Sequence, residues 1–205
     1  MSHESMVSEE WFARLQEFDR QIAEAVAAEG CPHCGGPLHQ GNYERKPRGG
    51  YLAEAGEAFT LRHSLCCGRE GCRRRALPPS LRFLGRRVYL EAVVLVASAL
   101  TVALQTLRLA SEVTGVPART QRRWRRWWAE TFPSSTVWTV LRARFAPPPP
   151  AQSELPRSLL ERAQAVLGVG AAVGNVLMLV ARWLSAVTTQ SVPDGSRFVF
   201  GLLQC

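Results

Sequence analysis

The sequence predicts a mainly α-helical protein with one small β element organised around cysteines. Apolar residues recur at three- and four-residue intervals over long parts of the chain. Five of the six cysteines fall between Cys31 and Cys72, in a Gly/Pro-rich stretch with short strand-like pieces. The central helical run is broken at Gly115-Val116-Pro117, which divides it into separate helices.

The first element is an amphipathic helix over 8–29. Ser8 is placed to cap it, and Glu9 and Glu10 sit in its electropositive first turn. Leu15, Phe18, Ile22 and Val26 form its apolar stripe, and Gly30 stops it. Strand-like pieces follow around 38–43 and 59–65. The pattern is helical from Val88 to about Phe132. Pro147-Pro148-Pro149-Pro150 reads as a stiff linker, followed by one helix from Ser158 to about Val187 and a turn at Pro193-Asp194-Gly195. The expected divisions are therefore 1–30 (N-terminal helix), 31–87 (cysteine region with a basic extension), 88–146 (helical domain), 147–157 (linker) and 158–205 (C-terminal packing or oligomerisation segment).

Composition narrows the function classes. At 205 residues, with 46% apolar and 20% charged, the chain can bury a core and is unlike a disordered polyelectrolyte. Its net charge of +8 is unevenly spread. Residues 1–30 carry −5, whereas residues 73–126 carry +10, from twelve arginines against Glu91 and Glu112. Such a block suits a polyanion. The cysteines are too few and too clustered for a secreted disulfide scaffold, and the opening MSHESMVSEEW has neither a basic nor an apolar signal region. A cytoplasmic location is expected. Two uncharged stretches, 92–107 with 16 residues and 163–181 with 19, fall short of or interrupt the roughly 20 apolar residues of a spanning helix, which argues against a membrane partner. In the second, Gly170 and Gly174 are spaced for close helix packing.

Cys31-Pro-His-Cys34-Gly-Gly has the spacing of a knuckle that supplies two corners of a tetrahedral zinc site. Cys66-Cys67-Gly-Arg-Glu-Gly-Cys72 supplies the other half, with Cys66 and Cys67 equally placed to be the third ligand. Leu61 to Leu65 reads as the strand that feeds it. Two hairpins pinned this way make a zinc ribbon, in which Zn2+ is structural, because four thiolates leave no open coordination position. His33, His39 and His63 are read as surface or strand residues.

The run from Leu107 to Trp124 has the spacing of a DNA-binding helix-turn-helix. Ala110 is small where two helices would cross, Gly115 makes the turn, Val116 plugs the core, and Pro117 opens the second helix. On that helix Thr120, Trp124, Trp127 and Trp128 share the inward face, and the arginines lie largely opposite. Ala118, Arg119, Gln121 and Arg122 are the candidate base readers, and Arg123, Arg125 and Arg126 the candidate phosphate contacts. Arg73, Arg74 and Arg75, with Arg82, Arg86 and Arg87, form a second cluster able to clamp backbone beside a reading head.

The order Cys31-Pro-His-Cys34-Gly-Gly-Pro-Leu-His, Cys66-Cys67-x4-Cys72-Arg-Arg-Arg, Pro78-Pro79-Ser80-x-Arg82-Phe83, then the helix-turn-helix, resembles the N-terminal recognition regions of bacterial insertion-sequence transposases. It is also similar to small stand-alone proteins encoded with such elements. The likeness spans about 31–145. It implies a protein that binds element ends or regulates the element, with double-stranded DNA as partner and a transposase encoded nearby. The chain departs from a full transposase after Trp128, where the acids are Glu130, Glu154, Glu161 and Asp194. A two-metal nuclease needs carboxylates gathered on a sheet, and these residues do not supply them. The expected function is thus binding without catalysis, by a homodimer reading paired half-sites. The alternatives are the recognition subunit or truncated remnant of a transposase, a membrane-associated or interaction adaptor, and RNA as the polyanion. The predicted fold is mainly α with a small β zinc ribbon, a helix-turn-helix domain and a C-terminal helical segment.

Overall fold

Helix α1 (Glu9–Glu29) buries Trp11, Phe12, Leu15, Ile22 and Ala23 along one stripe. Phe18 and Val26, expected on that stripe, are half-buried at its margin. The computed structural model describes residues 9–45, 57–84, 89, 91–103, 107–149 and 154–185. Ser8, Arg86, Arg87 and the Pro193 turn lie outside them. The described chain is mainly helical with small antiparallel sheets, and it divides into two compact units, one of residues 1–90 with 184–205 and the other of residues 91–183.

In the first unit, β1 (Leu38–Gln40), β4 (Leu65–Cys67) and β5 (Arg75–Ala76) form one antiparallel sheet in the order β1-β4-β5. β2 (Tyr43–Glu44) and β3 (Leu61–Arg62) form a second. The stretch read as one strand over 61–65 is therefore split at His63-Ser64 between two sheets. A 3-10 turn (Glu57–Thr60) packs on α1, where Phe12 and Phe59 meet edge to face at 4.8 Å.

Charge completes this packing. Asp19 stands on the apolar stripe of α1 and is fully buried. Its carboxylate accepts from Ser80 Oγ at 2.5 Å, Leu81 N at 2.6 Å and Arg82 Nε at 2.8 Å. The Arg82 guanidinium also donates to the Phe59 and Leu61 carbonyls at 2.9 and 2.6 Å. Arg82 thus ties three chain segments together, and it is removed from the surface cluster in which the sequence placed it. A buried pair survives desolvation when its remaining donors and acceptors are also satisfied, as they are here.

In the second unit, α2 (Glu91–Ala103), α3 (Leu107–Thr114) and α4 (Ala118–Arg126) pack on one another. Val93, Val94, Leu95 and Ala97 of α2 are all buried, consistent with a helix covered on several sides. α4 widens into a π turn over Trp127–Thr131, closed by Phe132 N donating to Trp127 O at 2.8 Å. That turn gathers Trp127, Trp128, Phe132 and Trp138 into an aromatic cluster with centroids 4.6–5.5 Å apart. α5 (Thr136–Arg142) begins at Ser135, whose hydroxyl accepts from Trp138 N.

The C-terminal helix expected over 158–187 is two helices, α6 (Arg157–Leu167) and α7 (Val173–Leu184). Gly168 and Gly170 take φ of +95° and +98°, which no continuous α-helix can hold. Gly170 and Gly174 therefore do not share a helix, and their spacing is no packing seam. The break leaves Val166, Leu167, Val169 and Val173 exposed. Among the described residues no helix is long and apolar enough to cross a membrane. The start of the proline run is packed rather than free. Arg162 donates to the Pro147 carbonyl at 3.1 Å, and its guanidinium lies over the Phe145 ring, which meets Trp183 edge-on.

Candidate metal centre and arginine-bearing helix

The first knuckle is a turn in which Cys34 N and Gly35 N donate to the Cys31 carbonyl at 3.3 and 2.8 Å. Gly35 closes it at φ +66°. Gly36 follows, where a Cβ would lie 3.0 Å from Arg69 Cβ and within 3.3 Å of the Cys34 and Cys67 sulfurs, so the second knuckle can approach only glycine. The second knuckle repeats the same turn: Cys72 N and Arg73 N donate to the Arg69 carbonyl at 3.2 and 3.3 Å. Its closing residue is not glycine. Arg73 holds φ +45°, a left-handed conformation that costs a side-chain-bearing residue of order 1–3 kcal/mol.

These turns bring Cys31, Cys34, Cys67 and Cys72 together, with their sulfurs all within 4.8 Å of one another. Cys31 and Cys72 are 3.8 Å apart, and Cys34 and Cys67 3.5 Å. Four sulfurs about 2.3 Å from one tetrahedral ion stand about 3.8 Å apart, so the cluster is sized for a metal. Its thiols compete for protons. The Gly36 amide, with neighbouring thiols, draws Cys34 down to about 7 against the opposing effect of burial. At Cys67 the Arg69 amide acts downward, but burial and the other three thiols prevail and push it up to about 12. A cation relieves that repulsion by letting all four ionise.

Cys66 is outside the cluster. Successive strand residues face opposite ways, so Leu65 and Cys67 point inward on β4 while Cys66 faces the other side. There it pairs across the sheet with His39 and Arg75. None of the three histidines named above joins the cluster. His33 Nδ1 lies 3.3 Å from an Arg74 nitrogen, and His63 is half-buried, its ring held below the ordinary value by burial first and then by Arg82.

Around the centre Arg69, Arg73, Arg74 and Arg75 are exposed. Arg69 donates to the Cys34 carbonyl at 2.7 Å and so links the two knuckles, while Arg75 lies over the Tyr43 ring. Arg62, by contrast, is buried and donates to the Pro78 carbonyl at 2.5 Å. Burial draws its guanidinium down to about 10, against the pull of Asp19.

In the second unit the turn between α3 and α4 is held by polar side chains. Gly115 has φ +65°, and Ala110 and Val116 are fully buried. The Val116 carbonyl accepts from Ser111 Oγ at 2.7 Å and Gln121 Nε2 at 2.8 Å, and Thr114 Oγ1 donates to Ala110 O. Pro117 is the residue before the helix, and Ala118 its first. Gln121 is 1% exposed, which corrects its place among the base readers: its amide is spent on the turn. Of the expected inward face Trp124 and Trp128 are buried, Thr120 and Trp127 are half-buried, and Gln121 completes the stripe; Trp128 Nε1 donates to Ser98 Oγ at 3.1 Å. Arg119, Arg122, Arg123, Arg125 and Arg126 are all exposed, and Ala118 is half-buried.

Three residues that organise the molecule were missed in the sequence. Asp19 enters the sequence reading only through the net charge of residues 1–30, Arg82 as a member of the basic cluster, and Gln121 as a reader. A signal existed for two of them: Asp19 is spaced four from Leu15 and three from Ile22, and Gln121 three from Trp124. A polar residue in register with an apolar stripe is a candidate for burial with a partner. No protein-family model, curated protein or solved structure matches this chain.

Proposed function

We propose that this protein is a zinc-dependent, sequence-specific DNA-binding protein without catalytic activity, reading duplex DNA through α4 as the second helix of a helix-turn-helix. One observation carries the reading: five exposed arginines stand on a nine-residue helix whose other side is committed to the core by Gln121 and Trp124. Arg119 and Arg122 near its start are the base readers, because arginine forks match the guanine edge in the major groove. Arg123, Arg125 and Arg126 neutralise phosphates. The four-cysteine centre takes Zn2+, the divalent ion best suited to four tetrahedral thiolates, and serves folding. The resemblance to insertion-sequence proteins supports a role accessory to a mobile element.

The test is selection of bound duplexes from a random pool, followed by binding measured over a range of salt. Arg119→Ala/Arg122→Ala is expected to weaken binding to the selected duplex by about thirty-fold or more, at about 1–3 kcal/mol for each base contact, with zinc content unchanged. Equal affinity in the double variant overturns the assignment of α4.

A further inference from the structure

We propose that the cysteine centre builds a second phosphate-binding face, formed by Arg73 and Arg74 on the second knuckle, which grips the backbone of a DNA duplex independently of α4. The inference rests on the reading that the chain binds duplex DNA, and extends it to a site that recognises no base.

Three observations meet on this turn. The first is the backbone. The two knuckles share one hydrogen-bond pattern, and at the closing position the first has Gly35 at φ +66° and the second Arg73 at φ +45°. Glycine is the unstrained residue for that conformation. The second knuckle therefore holds a strained backbone in exchange for a guanidinium, and strain of this kind points to use of the side chain.

The second observation is what the guanidinium does within the chain. Arg73 and Arg74 are exposed, and among the described residues neither forms an ion pair, whereas the exposed arginines 14, 20, 108 and 157 each meet a carboxylate on their own helix. The acid on the same turn is Glu70, also exposed. Arg74 is steered by His33 Nδ1 at 3.3 Å, which brings the first knuckle to the same face.

The third observation is placement. Arg73 directly follows the ligand Cys72, and Arg74 accepts Cys67 N on its carbonyl at 2.9 Å. Both directions are thus set by residues that hold the metal. A pair of cations fixed on a turn, with no carboxylate partner among the described residues, suits the phosphodiester backbone, where contacts set affinity and register but not sequence.

The experiment uses the full chain and a fluorescein-labelled duplex of mixed sequence, with anisotropy followed over salt concentration and zinc content measured on the same samples. Arg73→Gly/Arg74→Ala keeps the turn geometry, so zinc is expected to stay bound. Each lost phosphate contact lowers the slope of log K against log salt by about 0.9, so the double variant should lose about 2, and its gap to the wild type should widen roughly ten-fold as salt falls from about 200 to about 50 mM. The same loss is expected on top of Arg119→Ala/Arg122→Ala. A failure of the α4 reading would leave that parent binding like the wild type while the knuckle effect persists. Arg73→Gly alone should raise the melting temperature while lowering the slope by about 1, a combination that a purely structural arginine cannot give. An unchanged slope with zinc retained, or loss of zinc from the double variant, overturns the proposal.

Discussion

The two units present their arginines on opposite kinds of support. Before Leu90 the arginine-bearing turn hangs on four thiols and a buried carboxylate–guanidinium pair, with strands of only two or three residues around them. After Glu91 the arginine-bearing helix rests on tryptophan, with Trp124, Trp128, Phe132 and Trp138 all buried. A short β element cannot bury enough apolar surface to hold itself, so specific polar bonds replace area. A helix can spend one whole side on aromatic packing and leave the other to solvent. With the proposed ion in place, the first kind of support would depend on metal binding and on protonation; the second, resting on aromatic packing, would not.

Metal removal breaks the comparison most sharply. Structural zinc contributes an apparent 10–16 kcal/mol in small domains near neutral pH. Chelation, or Cys67→Ser, is expected to unfold the first unit while the helical circular dichroism of the second persists. Cys66→Ser should leave metal content intact; losing the metal there would contradict the strand register described above. Loading should weaken as pH falls through about 7, the value to which Cys34 is drawn, because protons compete with the ion for the thiolates.

Next in size is the buried pair. Asp19→Ala strands the Arg82 guanidinium among backbone carbonyls, and breaking such a pair costs about 3–5 kcal/mol. Denaturant unfolding of the zinc-loaded protein measures it, and a loss below about 1 kcal/mol, typical of a surface pair, would mean that Asp19 is not the buried anchor. Trp124→Ala in the other unit is expected to cost a similar 3–5 kcal/mol through cavity formation.

Gln121→Ala is a smaller lever. It removes one of the two donors to the Val116 carbonyl and should cost about 1 kcal/mol, with the selected duplex preference unchanged. A changed preference would return Gln121 to the reading surface.

The smallest effect is the pH response of His63. Its folded value is depressed below 6.5, so the unfolded state binds the proton more readily. The stability it contributes is present above its unfolded value and is lost as pH falls from there through the folded one. His63→Gln should flatten this part of the acid side of the stability curve, seen as the difference from wild type at fixed zinc.

Periodicity and spacing made much of this molecule legible. Leu15 and Ile22 located α1, Gly115-Val116 located the α3–α4 turn, and Cys31, Cys34 and Cys72 needed no structure to be grouped. The readings that failed share a cause. Arg82 and Gln121 have polar side chains whose burial depends on partners distant in sequence or on a backbone carbonyl exposed by a turn. The break at Gly168–Gly170 was hidden because an apolar run looks the same whether or not its glycines turn left-handed.

By itself, the sequence determined the mainly helical class, the grouping of the cysteines and the concentration of arginine between residues 73 and 126, because these follow from residue type and spacing along one dimension. Only the tertiary structure decided between Cys66 and Cys67, since a shift of one residue on β4 reverses which side faces the cluster and the register comes from β1 and β5. It also decided which arginines are free to meet a partner. Charge count places twelve in one block, but Arg82 is spent on Asp19, while Arg73 is held outward by a strained turn. Net charge is additive along a chain; the availability of each charge depends on what folding brings beside it.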